Sequence, residues 1–251
     1  METERLAFLG ATAFPEISEI VRDINRQRPR YAIEAILDDN PNLHGTRIED
    51  TPVLGPLERV HQLSDMKFVF GIGSFRNRLA RYDILRRLAL PRERFATLVH
   101  PAAKVYSTAT VGHGCILFSG CVIANGAVVE DFGQVLCNSV VGAYSRICEG
   151  ALVAALVTIT AHVTVGPFAH LGGGSVVGNG VKIGPGAQVA LGSVAVRDVP
   201  PGVFLFGNPP RLLERVDVPA ELLERWRAME SQGPGVTAEQ PGSGFVGEPP
   251  E

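Results

Sequence analysis

Proton transfer is the chemistry that the side chains of this sequence suggest most directly. Histidine is the side chain best suited to accept a proton near neutral pH. The four cysteines show neither a CxxC pair nor zinc-type Cys/His spacing, so we expect no metal site. Cys115 and Cys121 stand at repeat positions that otherwise hold small residues, which indicates buried small hydrophobes. The six candidate bases are His44, His61, His100, His113, His162 and His170.

Ligand binding is the second chemistry that the sequence suggests, and it belongs to residues 1–100. Apolar strands alternate there with helical patterns, which predicts a small parallel α/β sheet. Ligands bind such sheets at the carboxyl ends of the strands, here Gly10–Phe14, Asp38–Asp39 and Gly71–Ser74. The predicted elements are strands at Arg5–Leu9, Tyr31–Leu37, Thr51–Gly55 and Lys67–Ile72 and helices at Glu16–Arg26 and Arg76–Leu90.

A period of six residues dominates the next part of the chain. Stepping by six from Val105 to Ala195 meets sixteen positions, and fifteen of them hold Val, Ile or Leu. A mostly small residue follows each aliphatic residue by four positions. One inward aliphatic residue per hexad predicts a β-solenoid in which three short strands form each coil of 18 residues, with about five coils.

Composition narrows the class of protein. The chain has 251 residues, a net charge of −3 and 45% hydrophobic residues. A core can therefore form, and general nucleic-acid binding is disfavoured because it needs a basic surface. The N-terminus lacks a signal-peptide pattern, and no apolar run reaches membrane-spanning length, so a cytoplasmic protein is expected. The residues from 231 onward are rich in Gly, Pro and Glu and predict a disordered tail.

The hexads, together with four further segments, resemble one protein family over about residues 4–215. These segments are AILDDNPNLHGTRIEDTPVLG (35–55), GIGSFRNR (71–78), FATLVHP (95–101) and RDVPPGVFLFGNPPRLL (197–213). They resemble the hexapeptide-repeat sugar acyltransferases of the sialic-acid O-acetyltransferase and bacillosamine N-acetyltransferase type. The resemblance implies an α/β, Rossmann-like N-terminal domain followed by an all-β left-handed parallel β-helix.

The resemblance also implies ligands and an assembly. We expect a homotrimer with acetyl-CoA or another acyl-CoA bound between neighbouring β-helices as co-substrate, and a nucleotide-linked sugar held by the N-terminal domain. The expected domains are residues 1–100 for the nucleotide sugar, 101–213 for acyl-CoA, a C-terminal helix at 214–230 and a tail at 231–251. Residues implied at the acyl-CoA site are Ala161, Leu191, Gly207, Asn208 and Arg211; those at the nucleotide-sugar site are Gly10, Ala11, Asp38, Asp39, Gly73 and Arg78.

The sequence departs from the family at its catalytic histidine. The hexad phase places Ala143, followed by Tyr144 and Ser145, where the family has a His-Asp/Glu-Cys pattern. A second histidine that is common in the family nine residues later falls on Leu152. A register one coil later would place the two histidines at Ala161 and His170, and it also lacks the first one. His162 stands nineteen residues after Ala143, one coil plus one position, and is the candidate replacement base. The alternative for His162 is a solvated turn residue.

Loss of the base has a chemical consequence. A sugar hydroxyl needs its proton removed, whereas an amine attacks through its own lone pair. A general base contributes about 10²- to 10⁴-fold, and alignment of two reactants contributes independently of it. The sequence therefore favours an acyl-CoA-dependent N-acyltransferase for a nucleotide-linked amino sugar in glycan or surface-polysaccharide synthesis. Two alternatives stay open: a catalytically silent relative that binds sugar nucleotide or CoA as a regulator or scaffold, and a purely structural trimeric β-helix.

Overall fold

The computed structural model describes residues 3–73 and 79–231 and has two parts. An N-terminal α/β sheet is followed by a left-handed parallel β-helix, as the sequence predicts. Arg78 and the predicted tail beyond Ser231 lie outside the described residues. Strands and helices are numbered below in chain order.

The N-terminal sheet forms because its strands are short apolar runs that bury both faces. Its strand order is β3-β4-β2-β1-β5, and all neighbouring pairs are parallel except the β3–β4 hairpin. Parallel pairing places the carboxyl ends of β1, β2 and β5 at one edge. The elements are β1 Glu4–Leu9, α1 Phe14–Gln27, β2 Tyr31–Leu37, β3 Arg47–Ile48, β4 Thr51–Gly55, β5 Lys67–Phe70 and α2 Ala80–Leu88, with 3-10 helices at Pro41–Leu43, Leu57–Gln62 and Arg92–Arg94.

Two details of the N-terminal part differ from the sequence prediction. Helix α1 begins at Phe14 rather than Glu16, because Phe14 is buried against Phe8 and Pro15 suits the first turn of a helix. Helix α2 ends at Leu88 rather than Leu90, because Ala89 adopts a left-handed conformation, and its Arg81 is buried, only 4% exposed.

Three flat faces, each a stack of parallel two-residue strands, make the β-helix. The covered face packs against the N-terminal part and consists of β6 Leu98–Val99, β9 Ile116–Leu117, β12 Gln134–Val135, β15 Leu152–Val153, β18 His170–Leu171, β21 Gln188–Val189 and the four-residue β23 Val203–Phe206. The apolar face consists of β7 Lys104–Val105, β10 Val122–Ile123, β13 Val140–Val141, β16 Thr158–Ile159, β19 Val176–Val177 and β22 Val194–Ala195. The polar face consists of β8 Thr110–Val111, β11 Val128–Val129, β14 Arg146–Ile147, β17 Thr164–Val165 and β20 Lys182–Ile183.

The strands confirm the hexad phase. Each strand from β7 to β22 ends at one of the sixteen predicted positions, and each residue pairs with the one 18 positions further along. The second residue of every strand points inward, and from Leu117 onward these residues are almost completely buried. One coil therefore adds one strand spacing, about 4.8 Å, to the height of the β-helix.

The corners between the faces are the tightest parts of the coil. We name the covered corner (112–115, 130–133, 148–151, 166–169, 184–187), the open corner (124–127, 142–145, 160–163, 178–181) and the third corner (118–121, 136–139, 154–157, 172–175, 190–193). The third residue of each corner has a positive φ of 54–71°. Glycine adopts this left-handed conformation without strain, and it fills eight of the fourteen positions. The other six are Phe132, Asn138, Tyr144, Leu156, His162 and Phe168.

The β-sheet pairing of the β-helix extends beyond the predicted domain of residues 101–213 at both ends. Strand β6 lies before residue 100 and already pairs with β9 of the covered face. At the other end, β23 pairs antiparallel with β24 Arg211–Arg215, and helix α3 Ala220–Ser231 follows. Helix α3 packs back on the covered corner, where Leu222 clusters with Phe168 and Tyr82.

Candidate functional site

The open corner carries backbone N–H groups that are available to a ligand. Ala143 and Ala161 occupy equivalent positions in successive coils, each just before a residue with positive φ. Within residues 3–73 and 79–231, neither N–H has a hydrogen-bond partner. Both alanines are partly exposed. A free and partly exposed N–H of this kind can donate to an oxyanion.

Tyr144 and His162 form a ring stack on this corner. Their ring centroids are 5.3 Å apart and the planes are inclined by 12°. The His162 N–H also donates to the Ala143 carbonyl oxygen at 2.9 Å, which fixes the two coils in register. The sequence prediction that His162 shares a corner with Ala143 is therefore correct in position, whereas its role as a base remains a proposal.

The imidazole of His162 leans toward the level of Ala143. Aromatic side chains at these corners lean one coil back: Phe132 against Gly114, Phe168 against Gly150 and Tyr144 against Gly126. The His162 ring follows the same direction, since it stacks on the Tyr144 ring. Its backbone is one coil plus one position beyond Ala143, with a coil height of about 4.8 Å, and the lean turns the ring back toward Ala143.

A buried hydroxyl holds the backbone of this turn. Ser145 Oγ donates to the Thr160 carbonyl oxygen at 2.8 Å and accepts from the Val163 N–H at 3.0 Å. These two groups bracket Ala161 and His162. A buried serine that bonds on both sides stabilises a turn whose central residue has a positive φ.

Two other histidines are held within the fold, one by hydrogen bonds and one by burial. His100 Nδ1 accepts from the Ala102 N–H at 2.9 Å, so its Nε2 donates to Asp23 Oδ2 at 2.9 Å. This hydrogen bond from His100 lowers the pKa of Asp23. His170 is buried in the covered face, and burial lowers its pKa to about 4.

His113 and His44 lie elsewhere. His113 has the same turn position as Ala143 but lies on the covered corner, and its N–H donates to Asp131 Oδ1. His44 contacts the Asp38 carbonyl oxygen through Nε2 at 2.8 Å, beside the edge of the N-terminal sheet. Neither contact brings its imidazole to the open corner.

Four residues predicted for the nucleotide sugar meet at the carboxyl edge of the N-terminal sheet. The Ala11 N–H donates to Asp38 Oδ2 at 2.7 Å, and the Gly10 N–H donates to the Leu37 carbonyl oxygen. Asp39 is engaged in the fold: it accepts from the Leu57 N–H at 3.0 Å and pairs with Arg87. The backbone hydrogen bond and Arg87 together outweigh burial and lower the pKa of Asp39.

Gly73 joins this edge to the β-helix. A Cβ at Gly73 would lie 2.9 Å from Leu152 Cδ1 on the covered face. Nearby, the Arg81 guanidinium donates to the carbonyl oxygens of Ile72, Phe132 (2.6 Å) and Gly150 (3.1 Å). Burial lowers the pKa of Arg81 to about 9, so it stays charged at neutral pH. Arg81 thus holds the end of the sheet against the β-helix.

The residues predicted for acyl-CoA fall into two groups within one chain. Ala161 lies on the open corner. Leu191 is 69% exposed on the third corner, close to Gly207, whose N–H donates to Ser193 Oγ at 2.7 Å. Asn208 and Arg211 follow on the exposed surface. The apolar face separates the two groups.

Sequence reasoning missed the contributions of Tyr144, Ser145 and Arg81. A usable signal existed for Tyr144. Glycine fills eight of the fourteen positive-φ positions at the corners, and Tyr144 and His162 replace it in two consecutive coils. No pattern in the sequence distinguishes Arg81 from the other arginines of its helix.

Within residues 3–73 and 79–231, no group of three or more His, Cys, Asp or Glu side chains is placed to hold a metal ion. None of the helices described there has the length and apolar character needed to cross a membrane. Burial raises the pKa of Cys115 to about 12 and that of Cys121 to about 11.

Comparisons with known proteins agree with this architecture. Residues 157–190 match the bacterial transferase hexapeptide family (six repeats). UDP-N-acetylbacillosamine N-acetyltransferase of Bacillus subtilis (strain 168) is 28% identical over 106 residues, which are 40% of this chain and 46% of that protein. The chain thus matches about half the length of this curated relative.

Solved structures with the same fold cover nearly all of the described chain. A histidine-to-asparagine mutant of perosamine N-acetyltransferase from Caulobacter crescentus, in complex with CoA and GDP-perosamine, gives a TM-score of 0.72 at 24% identity over 85% of this chain and 98% of that one. The acetyltransferase domain of PglB from Neisseria gonorrhoeae gives 0.63 at 22% identity over 84% and 100%. At these identities the likeness shows the fold.

Proposed function

We propose that this protein is an acyl-CoA-dependent N-acyltransferase that acts on a nucleotide-linked amino sugar. The observation that carries the proposal is the open corner, where the free Ala161 N–H and the His162 imidazole lie together near Ala143. The shared fold with a perosamine N-acetyltransferase bound to CoA and GDP-perosamine supports it. The similarity to a protein named UDP-N-acetylbacillosamine N-acetyltransferase also supports it.

The reaction follows from the groups at the corner. The sugar amine attacks the thioester carbonyl carbon, forming a C–N bond, and the carbonyl oxygen becomes an oxyanion. The Ala161 N–H donates to that oxygen; one such donor contributes about 10²- to 10³-fold. His162 accepts the proton that the amine loses. The C–S bond then breaks, and the CoA thiolate leaves and takes up a proton.

In the trimer described below, the acceptor reaches this corner from the N-terminal sheet of a neighbouring copy, because the sheet of the same chain packs on the opposite side of the β-helix. Gly10, Ala11, Asp38 and Gly73 lie at its carboxyl edge, the usual ligand side of a parallel sheet. The Gly10 and Ala11 backbone approaches the nucleotide, and Asp38 orients this turn through the Ala11 N–H. Arg78 and Asp39 complete the proposed nucleotide-sugar site.

A homotrimer completes the acyl-CoA site. The outward side chains of the apolar face include Val122, Val140, Val176 and Val194, whereas the polar face presents Arg146 and Lys182. This apolar column favours packing around a threefold axis, since apolar surface gains by leaving water. The apolar face lies between the open corner and the third corner. Around such an axis, the open corner of one copy faces the third corner of the next.

This assembly brings the two groups of acyl-CoA residues together. Ala161 and His162 come from one copy, and Leu191, Gly207, Asn208 and Arg211 come from its neighbour. Arg211 is exposed and available to pair with a CoA phosphate. The acyl-CoA thereby lies in the groove between copies.

The test measures CoA release with acetyl-CoA and a panel of UDP-, dTDP- and GDP-linked amino sugars, each beside its hydroxyl counterpart. We expect turnover with an amino sugar and not with the matching hydroxyl sugar. His162→Ala should lower kcat by about 10²-fold. The matched control is His113→Ala, which removes an exposed histidine from the covered corner and should leave kcat unchanged.

Binding is measured in parallel. CoA and the nucleotide sugars should each raise the melting temperature of the protein, because a ligand that binds only the native state stabilises it. The acyltransferase proposal is overturned if no acceptor supports CoA release and CoA gives no thermal shift. A thermal shift with CoA but no turnover with any short- or long-chain acyl-CoA would instead support a silent binding protein.

A further inference from the structure

Tyr144 is the residue at the open corner that the proposed chemistry leaves without a role. We propose that it is a positioning residue, whose phenol ring holds the His162 imidazole in the orientation that accepts the amine proton. This inference rests on the proposed function.

The Tyr144 ring is held from both sides. One side faces the His162 ring at 5.3 Å, nearly parallel. On the other side, the ring lies against Gly126, where a Cβ would stand 2.6 Å from Tyr144 Cδ1. Only glycine at position 126 leaves room for the ring to lie flat along the corner. The Tyr144 ring is thus a fixed support for the imidazole.

The Tyr144 hydroxyl is fixed as well. Asn125 Nδ2 donates to Tyr144 Oη at 3.2 Å, and Asn125 Oδ1 accepts from Thr108 Oγ1 at 2.5 Å. Thr108 Oγ1 in turn accepts from the Gly126 N–H at 3.0 Å. This chain of hydrogen bonds connects the phenol to the backbone of the coil below.

Backbone strain at the pair points the same way. Tyr144 has φ 57° and His162 has φ 59°, a conformation that residues other than glycine, asparagine, aspartate and histidine adopt uncommonly. The coils before and after carry Gly126 and Gly180 at the same position. The open corner thus replaces glycine by a ring in two adjacent coils, and the two rings stack on each other.

The imidazole needs such support because nothing else holds it. Within residues 3–73 and 79–231, neither ring nitrogen of His162 has a hydrogen-bond partner, in contrast to His100, where both nitrogens are bonded. Free nitrogens are what a base requires, but they leave the ring able to rotate. Stacking fixes the ring while leaving both nitrogens available. A displacement of about 1 Å at such a group costs about 10²-fold in rate.

Three variants test the positioning role with the full-length protein. Tyr144→Phe keeps the stack and removes the hydroxyl. Tyr144→Asn removes the stack and tolerates the positive φ, as Asn138 does at the equivalent place on the third corner. Tyr144→Asn combined with His162→Ala tests whether Tyr144 acts through His162. Melting temperatures establish that all three variants fold.

We expect Tyr144→Asn to lower kcat by about 10- to 100-fold with KM for both substrates changed less than about twofold. Tyr144→Phe should keep more than about a third of wild-type kcat. In the His162→Ala background, Tyr144→Asn should cause no further loss, because two residues that act as one unit are not additive. A stacked tyrosine ring also shifts the His162 ring-proton NMR signals, and this shift should disappear in Tyr144→Asn and persist in Tyr144→Phe.

Three results would overturn the inference alone, each with an active wild-type enzyme. They are an unchanged kcat in Tyr144→Asn, an equal further loss in the His162→Ala background, or ring-proton signals of His162 that are the same in Tyr144→Asn and wild type. An inactive wild type that also shows no CoA-induced thermal shift overturns the proposed function and the inference together. The two failures are therefore distinguishable.

Discussion

The covered corner and the open corner carry aromatic rings in the same strained backbone conformation but in opposite environments. Phe132 and Phe168 have positive φ and are nearly fully buried. Tyr144 and His162 have positive φ and stand in solvent, with Tyr144 48% exposed. At the covered corner, burial of a large apolar ring offsets the strain. At the open corner no comparable burial does so, and the ring stack and the hydrogen bonds of Ser145 are the contacts that hold the pair.

The two corners also treat their backbone N–H groups differently. At the covered corner, side-chain carboxylates accept from the outward N–H groups: Asp131 from His113 and Glu130 from Glu149. Pro167 and Pro185 have no N–H at all. At the open corner, the N–H groups of Ala143 and Ala161 are left for a ligand. One backbone repeat thus serves as a docking surface at one corner and as a candidate donor site at the other.

The largest expected effect tests the difference in burial directly. Phe132 packs edge-on against Phe95 at 4.8 Å and Phe70 at 6.2 Å. Phe132→Ala should lower the free energy of unfolding by about 3–5 kcal/mol, whereas Tyr144→Ala should lower it by less than about 1.5 kcal/mol. Alanine keeps the positive-φ strain in both, so the difference reports packing. Equal losses in urea denaturation would remove the contrast between the corners.

The next effect concerns the link between the covered corner and the N-terminal sheet. Arg81→Met leaves three carbonyl oxygens without their donor, those of Phe132 and Gly150 in buried surroundings and that of Ile72 in a partly buried one. We expect a loss of about 3 kcal/mol in the free energy of unfolding. Arg146→Met, which removes an exposed arginine paired with Glu130, should cost less than about 1 kcal/mol.

The same variant tests the coupling of the two parts. In Arg81→Met, KM for the nucleotide sugar should rise more than KM for acyl-CoA, because Arg81 holds the Ile72–Gly73 end of the sheet. Two separate unfolding transitions in the variant, with a single one in the wild type, would identify Arg81 as the main link. Stability within about 1 kcal/mol of the wild type would contradict the prediction.

A buried histidine beside the covered corner gives a pH dependence. Burial lowers the pKa of His170 to about 4 from 6.5. The unfolded chain binds a proton at His170 below about pH 6.5 whereas the folded chain does not, so stability rises with pH in this range. Stability should be complete above pH 7 and fall by about 2–3 kcal/mol as the pH drops toward 4. His170→Gln should reduce this slope between pH 7 and 4.5.

The control for that experiment is the comparison at pH 8. Both states hold a neutral His170 there, so the difference between wild type and His170→Gln reports packing alone. A pH slope that is the same in the two proteins would show that other groups cause the acid sensitivity of the fold.

The sequence predicts the β-helix well because its signal is repeated. Each hexad places an aliphatic residue inward. One exception, Ala195, does not obscure the pattern because the other fifteen positions follow it. Handedness came from the family resemblance. The parallel sheet is predicted from the alternation of apolar strands with helices. Helix ends are less certain, and Phe14 begins its helix early because of tertiary packing on Phe8.

The candidate site is less predictable because its contacts cross coils and domains. Spacing alone places His162 one coil plus one position beyond Ala143, but the lean of the ring and the Tyr144 stack depend on the conformation of two turns. Arg81 is one arginine among several in its helix, and only the fold buries it between two parts of the chain. Such long-range contacts leave no local pattern in a sequence.

The smallest expected effect isolates the strain at the open corner. His162→Gly and His162→Ala both remove the imidazole, but only glycine adopts φ 59° freely. His162→Gly should be about 1 kcal/mol more stable than His162→Ala by chemical denaturation, while both lose kcat to the same extent. The matched control compares Leu156→Gly with Leu156→Ala. Leu156 has φ 61° on the third corner, and these variants leave His162 in place. If glycine gave no advantage at position 162 but did at 156, contacts of the turn held by Ser145 would offset the strain, and the open corner would resemble the covered one.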